Sequence, residues 1–317
     1  MSLVIVSAGH HLTLQDLGRY RVSRFGLSQG GAADLHAHCW GQKLLGNPCH
    51  TASIEIVLGK AQFRASADMT IVMTGADCDA RIGSSNRAIP NWQPFHLKQG
   101  EELLLGLPRN GLRSYLSVKG GFNVPLTLGS ASAIERNQVG GLANGLPLAA
   151  GDQLALAAET DSLIDTSIVM PQSAIPDYPR QQTLHLIPSY QYSSFSNATL
   201  QHLLSQTYRI SPDSNRMGVR LEPNQASCFQ VIDNHYDANI ISEGIVTGSV
   251  QVPDSGLPII MLQDRQTLGG YKKLGTIAFR DLAKLAQMRP GDSCNFKLTA
   301  LELERLKQQA FYRYFDI

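Results

Sequence analysis

The stretch Pro258-Ile-Ile-Met-Leu-Gln-Asp-Arg-Gln-Thr-Leu-Gly-Gly-Tyr271 decides how this chain is read. An apolar strand opens directly into a carboxylate, a guanidinium, an amide and a hydroxyl, then ends in a glycine pair. Gly269 and Gly270 let backbone pass close to a neighbour or adopt φ > 0. A polar hairpin turn is one reading. The density of functional groups at one sheet edge favours the other, a site.

Working outward, most of the chain repeats this grammar. Short β-branched or aliphatic runs, such as Ser53–Leu58, Thr70–Thr74, Ser114–Val118, Gly244–Val252 and Cys294–Leu298, are separated by Gly, Pro and Asn turns at close intervals. That spacing suits antiparallel barrels or sandwiches rather than βαβ units. Helix signals are few. Ala33, Ala37, Trp40 and Leu44 recur at helical spacing before the stop Gly46-Asn47-Pro48. Shorter patterns lie near Ala198–Ser205 and Ala278–Met288. A last helix is expected from Thr299, with Glu302 as its capping-box partner and Leu303, Leu306, Ala310 and Tyr314 on one stripe.

A Gly-acidic phrase occurs three times, as Lys98-Gln-Gly-Glu-Glu-Leu103, Ala149-Ala-Gly-Asp-Gln-Leu154 and Arg289-Pro-Gly-Asp-Ser-Cys294. Each reads as a hairpin turn feeding an apolar strand. A longer echo links Gln15-Asp-Leu-Gly-Arg-Tyr20 to Gln263-Asp264 through Gly269-Gly-Tyr271, and each copy precedes a helix. The echo points to two related β-barrels. The Pro-rich segment from Met170 to Pro179 is the natural linker, giving expected domains at 1–175 and 176–317.

Composition narrows the function classes. Hydrophobic residues make up 43% and charged residues 17% of the 317, a globular balance. A net charge of +1, from 27 basic and 26 acidic residues, offers no long-range attraction for nucleic acid or an anionic membrane. The five cysteines are scattered and never C-x-x-C, which disfavours a disulfide framework or a zinc site. No apolar run reaches the roughly 18 residues of a membrane span, so a cytoplasmic protein is expected.

Familiar catalytic devices are missing: no phosphate loop, no G-x-S-x-G elbow, no H-E-x-x-H, and no Met-Lys-Met to carry covalent biotin. His36 and His38 point to different faces of one helix and are expected at the surface. Four polar clusters remain. In the first, Asp16 and Arg19 run on to Gly26, Gly30 and Gly31 before a helix N-terminus that could hold an anion. Asp34, in its first turn, either caps the helix or touches a ligand. In the second, Arg216 and Arg220 either form a paired-guanidinium anion site or pair with Asp213 or Glu222. The third, in the Gly244–Val252 run with Glu243 before it, places Glu243, Ile245, Thr247, Ser249 and Gln251 on one strand face, solvated or lining a polar pocket. The opening stretch, with Asp264, Arg265, Gln266, Thr267 and Tyr271, is the fourth.

At the level of whole phrases the chain resembles a known family. Thr13-Leu-Gln-Asp-Leu-Gly-Arg19, Leu45-Gly-Asn-Pro48, Asn110 through Gly121, Ser214-Asn-Arg-Met-Gly-Val-Arg-Leu-Glu222, Ser242-Glu-Gly244, Gly248-Ser-Val-Gln-Val-Pro253 and Asp264 through Tyr271 are similar, in order, to the KipA/PxpC family. Its members are the C subunits of bacterial ATP-dependent 5-oxoprolinase, related to a carboxyltransferase subdomain of urea carboxylase (allophanate hydrolase subunit 2). The family commonly has Pro-Gly-Pro-Gln where this chain has Ile187-Pro-Ser-Tyr-Gln191. The resemblance implies a mainly β fold of two tandem cyclophilin-like β-barrels with a few helices. It further implies one component of a hydrolase that activates 5-oxoproline with ATP, magnesium being the expected counter-ion. The implied partners are a KipI/PxpB-like protein and a LamB/YcsF-type protein, the B and A components of that enzyme. Arg216, Glu243, Asp264 and Arg265 would then be catalytic. Gln251, Gln266, Thr267, Tyr271, Asp16, Arg19 and Asp34 would orient substrate. Other members imply alternatives: a regulatory protein that sequesters a KipI-like kinase inhibitor, or carboxyl transfer to a urea-like nitrogen.

Overall fold

The computed structural model describes residues 1–157, 169–224 and 237–317. The chain divides into two compact units. One holds Met1–Tyr20, Gly30–Tyr178 and Phe315–Ile317; the other holds Arg21–Gln29 and Pro179–Tyr314. Among the described residues no helix is long and apolar enough to cross a membrane.

The first unit is built on two antiparallel sheets. One runs in the order Gln153–Ala155, Ser2–Ser7, Gln62–Ala65, Glu102–Leu104, Arg81–Ile82, Arg87–Ala88; the other His11–Gln15, Ser53–Val57, Arg113–Val118, Met69–Gly75, Pro94–Leu97. Period-2 alternation sends Leu3, Ile5, Phe63, Ile54, Ile56, Ile71 and Leu116 into a common core. Strand Arg113–Val118 is buried on both faces, because helix α1 (Leu35–Leu44) lies over its second face. There Thr74 Oγ1 donates to the Ala37 carbonyl at 2.7 Å, and Gln42 Nε2 to Ser117 Oγ at 3.0 Å. A Cβ on Gly41 would come within 3.0 Å of Ser117 Oγ, so glycine permits this approach.

The second unit closes a seven-stranded barrel in the order Gln181–Pro188, Lys273–Ile277, Ser249–Gln251, Ile259–Met261, Gly218–Pro223, Tyr208–Ile210, Ser293–Leu298. Closure comes from the parallel pairing of Ser293–Leu298 with Gln181–Pro188. Leu184, Leu186, Tyr208, Leu221, Val250, Ile260, Leu274 and Phe296 fill the interior. A separate two-stranded ribbon joins Asn239–Gly244 to Leu268–Tyr271. The mainly β reading therefore holds. The expected continuous strand Gly244–Val252 does not: the first strand ends at Gly244, and the chain turns through Gly248 at φ +87° before Ser249. Glu243 and Gln251 thus belong to different strands.

The three Gly-acidic phrases are one device used three times. Gly100, Gly151 and Gly291 hold φ of +82°, +97° and +89°. The acid that follows each glycine accepts from the backbone N–H three residues before it: Glu101 from Lys98, Asp152 from Ala149 and Asp292 from Arg289, at 2.9, 2.8 and 2.9 Å. Left-handed backbone closes the turn, and the carboxylate satisfies a donor that the turn would leave unpaired.

Three further helices lie in the second half: α2 (Asn197–Ser205), α3 (Phe279–Gln287) and α4 (Leu301–Phe315). Helix α4 docks through a polar contact. Glu304 takes a two-pronged bond from Arg280, at 2.9 and 3.2 Å, and also accepts from Thr299 Oγ1 and Lys307 Nζ. Thr299 therefore serves Glu304, not the expected Glu302, which pairs with Arg305. Phe279 packs edge-on against Phe311 and Tyr312. The expected stripe Leu303, Leu306, Ala310, Tyr314 faces outward.

Two tests follow from this packing. A Cβ on Gly100 or Gly151 meets nothing within 4 Å, so G100A and G151A should each cost about 1–2 kcal/mol through backbone strain alone, summing in the double variant when urea midpoints are compared. Arg280 holds the Glu304 carboxyl down at about 2. A carboxyl depressed below its unfolded value of about 4.3 stabilises the fold above that pH and loses the effect as pH falls toward 2. The stability gap between wild type and E304Q should accordingly be full at pH 6 and close by pH 2.

Candidate functional site

The opening stretch is pinned from both sides in the second unit. Leu262 N–H donates to the Met217 carbonyl and Asp264 N–H to the Arg216 carbonyl, each at 3.0 Å. Asp264 then receives a fork from Arg216, Nε at 2.8 Å and Nη2 at 2.9 Å, with both side chains only 10% exposed. Asp264 is thus a partner of Arg216. Arg216 and Arg220 do not form a guanidinium pair. Arg220 lines a cavity of about 340 Å³ with Asp213, Glu222 and Tyr271, away from the fork.

Arg265 is buried, and its guanidinium clamps the turn to the segment before strand Ser249–Gln251. Nε donates to the Ile245 carbonyl at 3.0 Å and Nη1 to Thr247 Oγ1 at 2.5 Å. Burial pulls its pKa down to about 10, with Asp264 opposing. Ser28 donates to the carbonyls of Asp264 and Arg265 at 3.1 and 2.7 Å, fixing the same backbone.

Glu243 forms the second pole of the site. The ribbon register sets it opposite Gly269, and its carboxylate meets Lys273 Nζ, Tyr190 Oη and Gln191 Nε2. Gln191 Oε1 in turn accepts from Lys273 N–H at 2.7 Å. Burial lowers the Lys273 pKa. Gln251, the register partner of Lys273, is 2% exposed. Its Nε2 donor has no acceptor among the described residues. A Cβ on Gly269 would stand 2.8 Å from that nitrogen, 3.3 Å from Gln266 Nε2 and 2.3 Å from Ile245 Cδ1. Gly269 is therefore the space into which Gln251 and Gln266 converge. Thr267 lies in the turn and accepts from Ile245 N–H through its carbonyl. Tyr271, opposite Asn239, belongs to the cavity wall.

The family model for the carboxyltransferase domain, subdomain A and B, matches residues 25–298. The chain belongs to this family. It is 33% identical over 315 residues to the C subunit of 5-oxoprolinase from Escherichia coli (strain K12), covering 99% of this chain and 96% of that one. The corresponding protein of Haemophilus influenzae is 33% identical over 298 residues, covering 94% and 91%. Among solved structures, TTHA0988 superposes with a TM-score of 0.81 at 30% identity, over 93% of this chain and 55% of that chain. Kluyveromyces lactis urea carboxylase gives a TM-score of 0.88 over 99% of this chain and 29% of that chain, at 23% identity, which shows the fold alone.

In the first unit the expected site residues make hydrogen bonds within the fold. Asp16 accepts from Ser130 Oγ and Ser132 Oγ, each at 2.6 Å, from Gly18 N–H at 2.8 Å and from Ala131 N–H at 2.7 Å. Arg19, 1% exposed, donates to the carbonyls of Thr127 and Ser130. Asp34 caps α1 through Ala37 N–H at 2.9 Å and accepts from Tyr178 Oη at 3.4 Å. Burial holds the phenols of Tyr178 and Tyr115 well above the usual range, so both stay neutral. Tyr115 donates to Glu55 while receiving Asp34 N–H. His38, expected at the surface, is fully buried between Ser53 Oγ and the Cys49 carbonyl.

Lys273, Tyr190 and Gln191 escaped the sequence reading. The available signal was the Ile187–Gln191 phrase, where the glutamine survives although its neighbours differ from the family pattern. Among the described residues no group of three or more His, Cys, Asp or Glu could hold a metal.

If Asp16 is structural, Asp16→Ala leaves two hydroxyls and two N–H groups unpaired and should cost about 3 kcal/mol or more. Chemical denaturation checks this. A variant of unchanged stability would return Asp16 to the ligand-contact reading.

Proposed function

We propose that this chain is the C component of an ATP-dependent 5-oxoprolinase and holds the cyclic amide while it is activated. The supporting observation is the unpartnered Gln251 Nε2, buried beside the Glu243–Lys273 pair. A buried amide donor without an acceptor is costly in the free protein, and a ligand oxygen would satisfy it. 5-Oxoproline carries a lactam carbonyl, a lactam N–H and a carboxylate. Gln251 and Lys273 supply donors for its oxygens, and Glu243 supplies an acceptor for its N–H. The near full-length likeness to 5-oxoprolinase chains of two bacteria supports that substrate class.

An unstrained amide is a poor electrophile. In the proposed reaction the lactam oxygen attacks the γ-phosphorus of ATP and ADP leaves. Water then adds to the activated ring carbon and the C–N bond breaks, the nitrogen taking up a proton, to give an acyl phosphate; a second water hydrolyses it, leaving glutamate and inorganic phosphate. Arg216 and Arg265 were candidates to neutralise phosphoryl charge. Asp264 occupies the first, while Ile245 O and Thr247 engage the second. This proposal therefore gives the chain the lactam, and its complex with a KipI/PxpB-like protein the triphosphate with its magnesium. A LamB/YcsF-type protein completes hydrolysis, and the assembly works in the cytoplasm. Regulatory binding of a KipI-like protein would need the complex but not the pocket.

Gln251→Leu separates these readings. Removing an unsatisfied donor should leave the thermal midpoint unchanged or raised. Substrate-dependent ADP release by the chain reconstituted with both partners should fall by about 10²-fold. A stability loss with normal turnover makes Gln251 structural. Absence of 5-oxoproline-dependent ADP release in the wild-type assembly refutes the function.

A further inference from the structure

Strand Gly218–Pro223 turns Val219 and Leu221 into the barrel and Arg220 and Glu222 to its outer wall. There Arg220 and Glu222 line, with Asp213 and Tyr271, the cavity of about 340 Å³. Main-chain bonds fix its sides. Arg220 N–H donates to Ser214 Oγ at 3.1 Å, and Ser211 N–H to the Arg220 carbonyl at 2.9 Å, folding the segment that carries Asp213 back along the strand. On the other flank Leu221 N–H donates to the Pro258 carbonyl at 3.1 Å, and Leu257, Pro258 and Ile259 supply an apolar wall.

Opposite charges line this one cavity without meeting. Among the described residues the Arg220 guanidinium pairs with neither Asp213 nor Glu222. Arg216, four positions earlier, shows the alternative, forked onto Asp264. A guanidinium presents its donors in a fixed plane, and a carboxylate takes two of them at once. Arg220 is therefore set up for a carboxylate that the chain does not itself provide.

Size and charge narrow the occupant. The volume lies near the lower end of the range for ligand cavities, roughly 300–1,000 Å³, which suits a small molecule. Arg209 stands opposite Glu222 in the strand register, and Asp254 and Lys272 flank the wall residues Pro253 and Tyr271 in sequence, so the charge around the cavity is close to balanced. A bare anion on Arg220 would meet the two acids, and a bare cation on the acids would meet Arg220. A zwitterion satisfies both signs, and an apolar side chain satisfies the remaining wall.

We propose that this cavity binds a small α-amino acid with an apolar side chain, its carboxylate on Arg220, its ammonium on Asp213 and Glu222, and its side chain against Leu257 and Ile259. The site uses none of Glu243, Gln251 and Lys273 and does not depend on the oxoprolinase reading.

Calorimetric titration of the full chain with L-leucine is the test, at low ionic strength because salt screens exposed charges. L-Leucine should bind saturably with one-to-one stoichiometry. Leucinamide, without the carboxylate, and isocaproate, without the ammonium, should each bind at least about tenfold more weakly. Arg220, Asp213 and Glu222 are exposed, so R220M and D213N/E222Q should melt like wild type while each weakens L-leucine binding at least about tenfold. No saturable binding of L-leucine, L-valine or L-methionine by the wild-type chain overturns the proposal. Wild-type affinity in R220M or in D213N/E222Q puts the bound amino acid elsewhere and overturns it too. Leucinamide or isocaproate binding as tightly as L-leucine has the same consequence.

Discussion

The fork between Arg216 and Asp264 is the contact from which the geometry of the second-unit site descends. It ties the turn after Ile259–Met261 to the turn before Gly218, and the two backbone bonds beside it fix the register. With that turn held, Arg265 can reach back to Ile245 O and Thr247. Ile245 in turn packs where a Gly269 side chain would be, and Gln251 and Gln266 close on the same glycine. Each step needs the one before. A bidentate guanidinium–carboxylate pair is suited to this work because it fixes orientation as well as distance. Lysine in place of Arg216 would hold the charge and lose the angle.

The same residue types do different work in the two units, and burial explains the difference. Asp16 and Asp264 each follow a strand and a glutamine, and each anchors a distant loop. Asp16 has four donors on its two oxygens, so its charge is stabilised entirely by the fold. Asp264 is balanced by one arginine. Glu243 is only partly enclosed, at 32% exposure, and meets Lys273 at the boundary with solvent. A charge in that position can exchange partners at modest cost, whereas Asp16 cannot.

Much of the fold was legible because it rests on local rules. The three Gly-acidic turns are written in consecutive residues, and their bonds span three positions. The helices near residues 35, 197 and 279 follow from apolar spacing and stop signals. Periodicity shows that Leu303, Leu306, Ala310 and Tyr314 share a face of α4 but not whether that face meets the core. Aromatic contacts of Phe279 and the Arg280–Glu304 pair decide that orientation, and both cross between helices. Likewise, alternation cannot register the break at Gly248, where a positive φ turns the chain between Glu243 and Gln251. Lys273 was invisible for a related reason. Its importance comes from cross-strand pairing with Gln251 and from Glu243, thirty residues away in sequence.

Under the proposed function, the Glu243–Lys273 pair would also decide which ligands a pocket formed around it favours. In the free protein the two charges neutralise each other, so the pocket presents little net attraction to a bare anion. A ligand that only offers a carboxylate must displace Glu243 from Lys273 and leave that acid uncompensated near Tyr190 and Gln191. A ligand offering both an oxygen and an adjacent N–H replaces the two ends of the pair at once. Discrimination against molecules lacking either group is large when buried polar atoms would be left without partners. In the proposed function, a cyclic amide bearing a carboxylate would meet both ends and the Gln251 donor together.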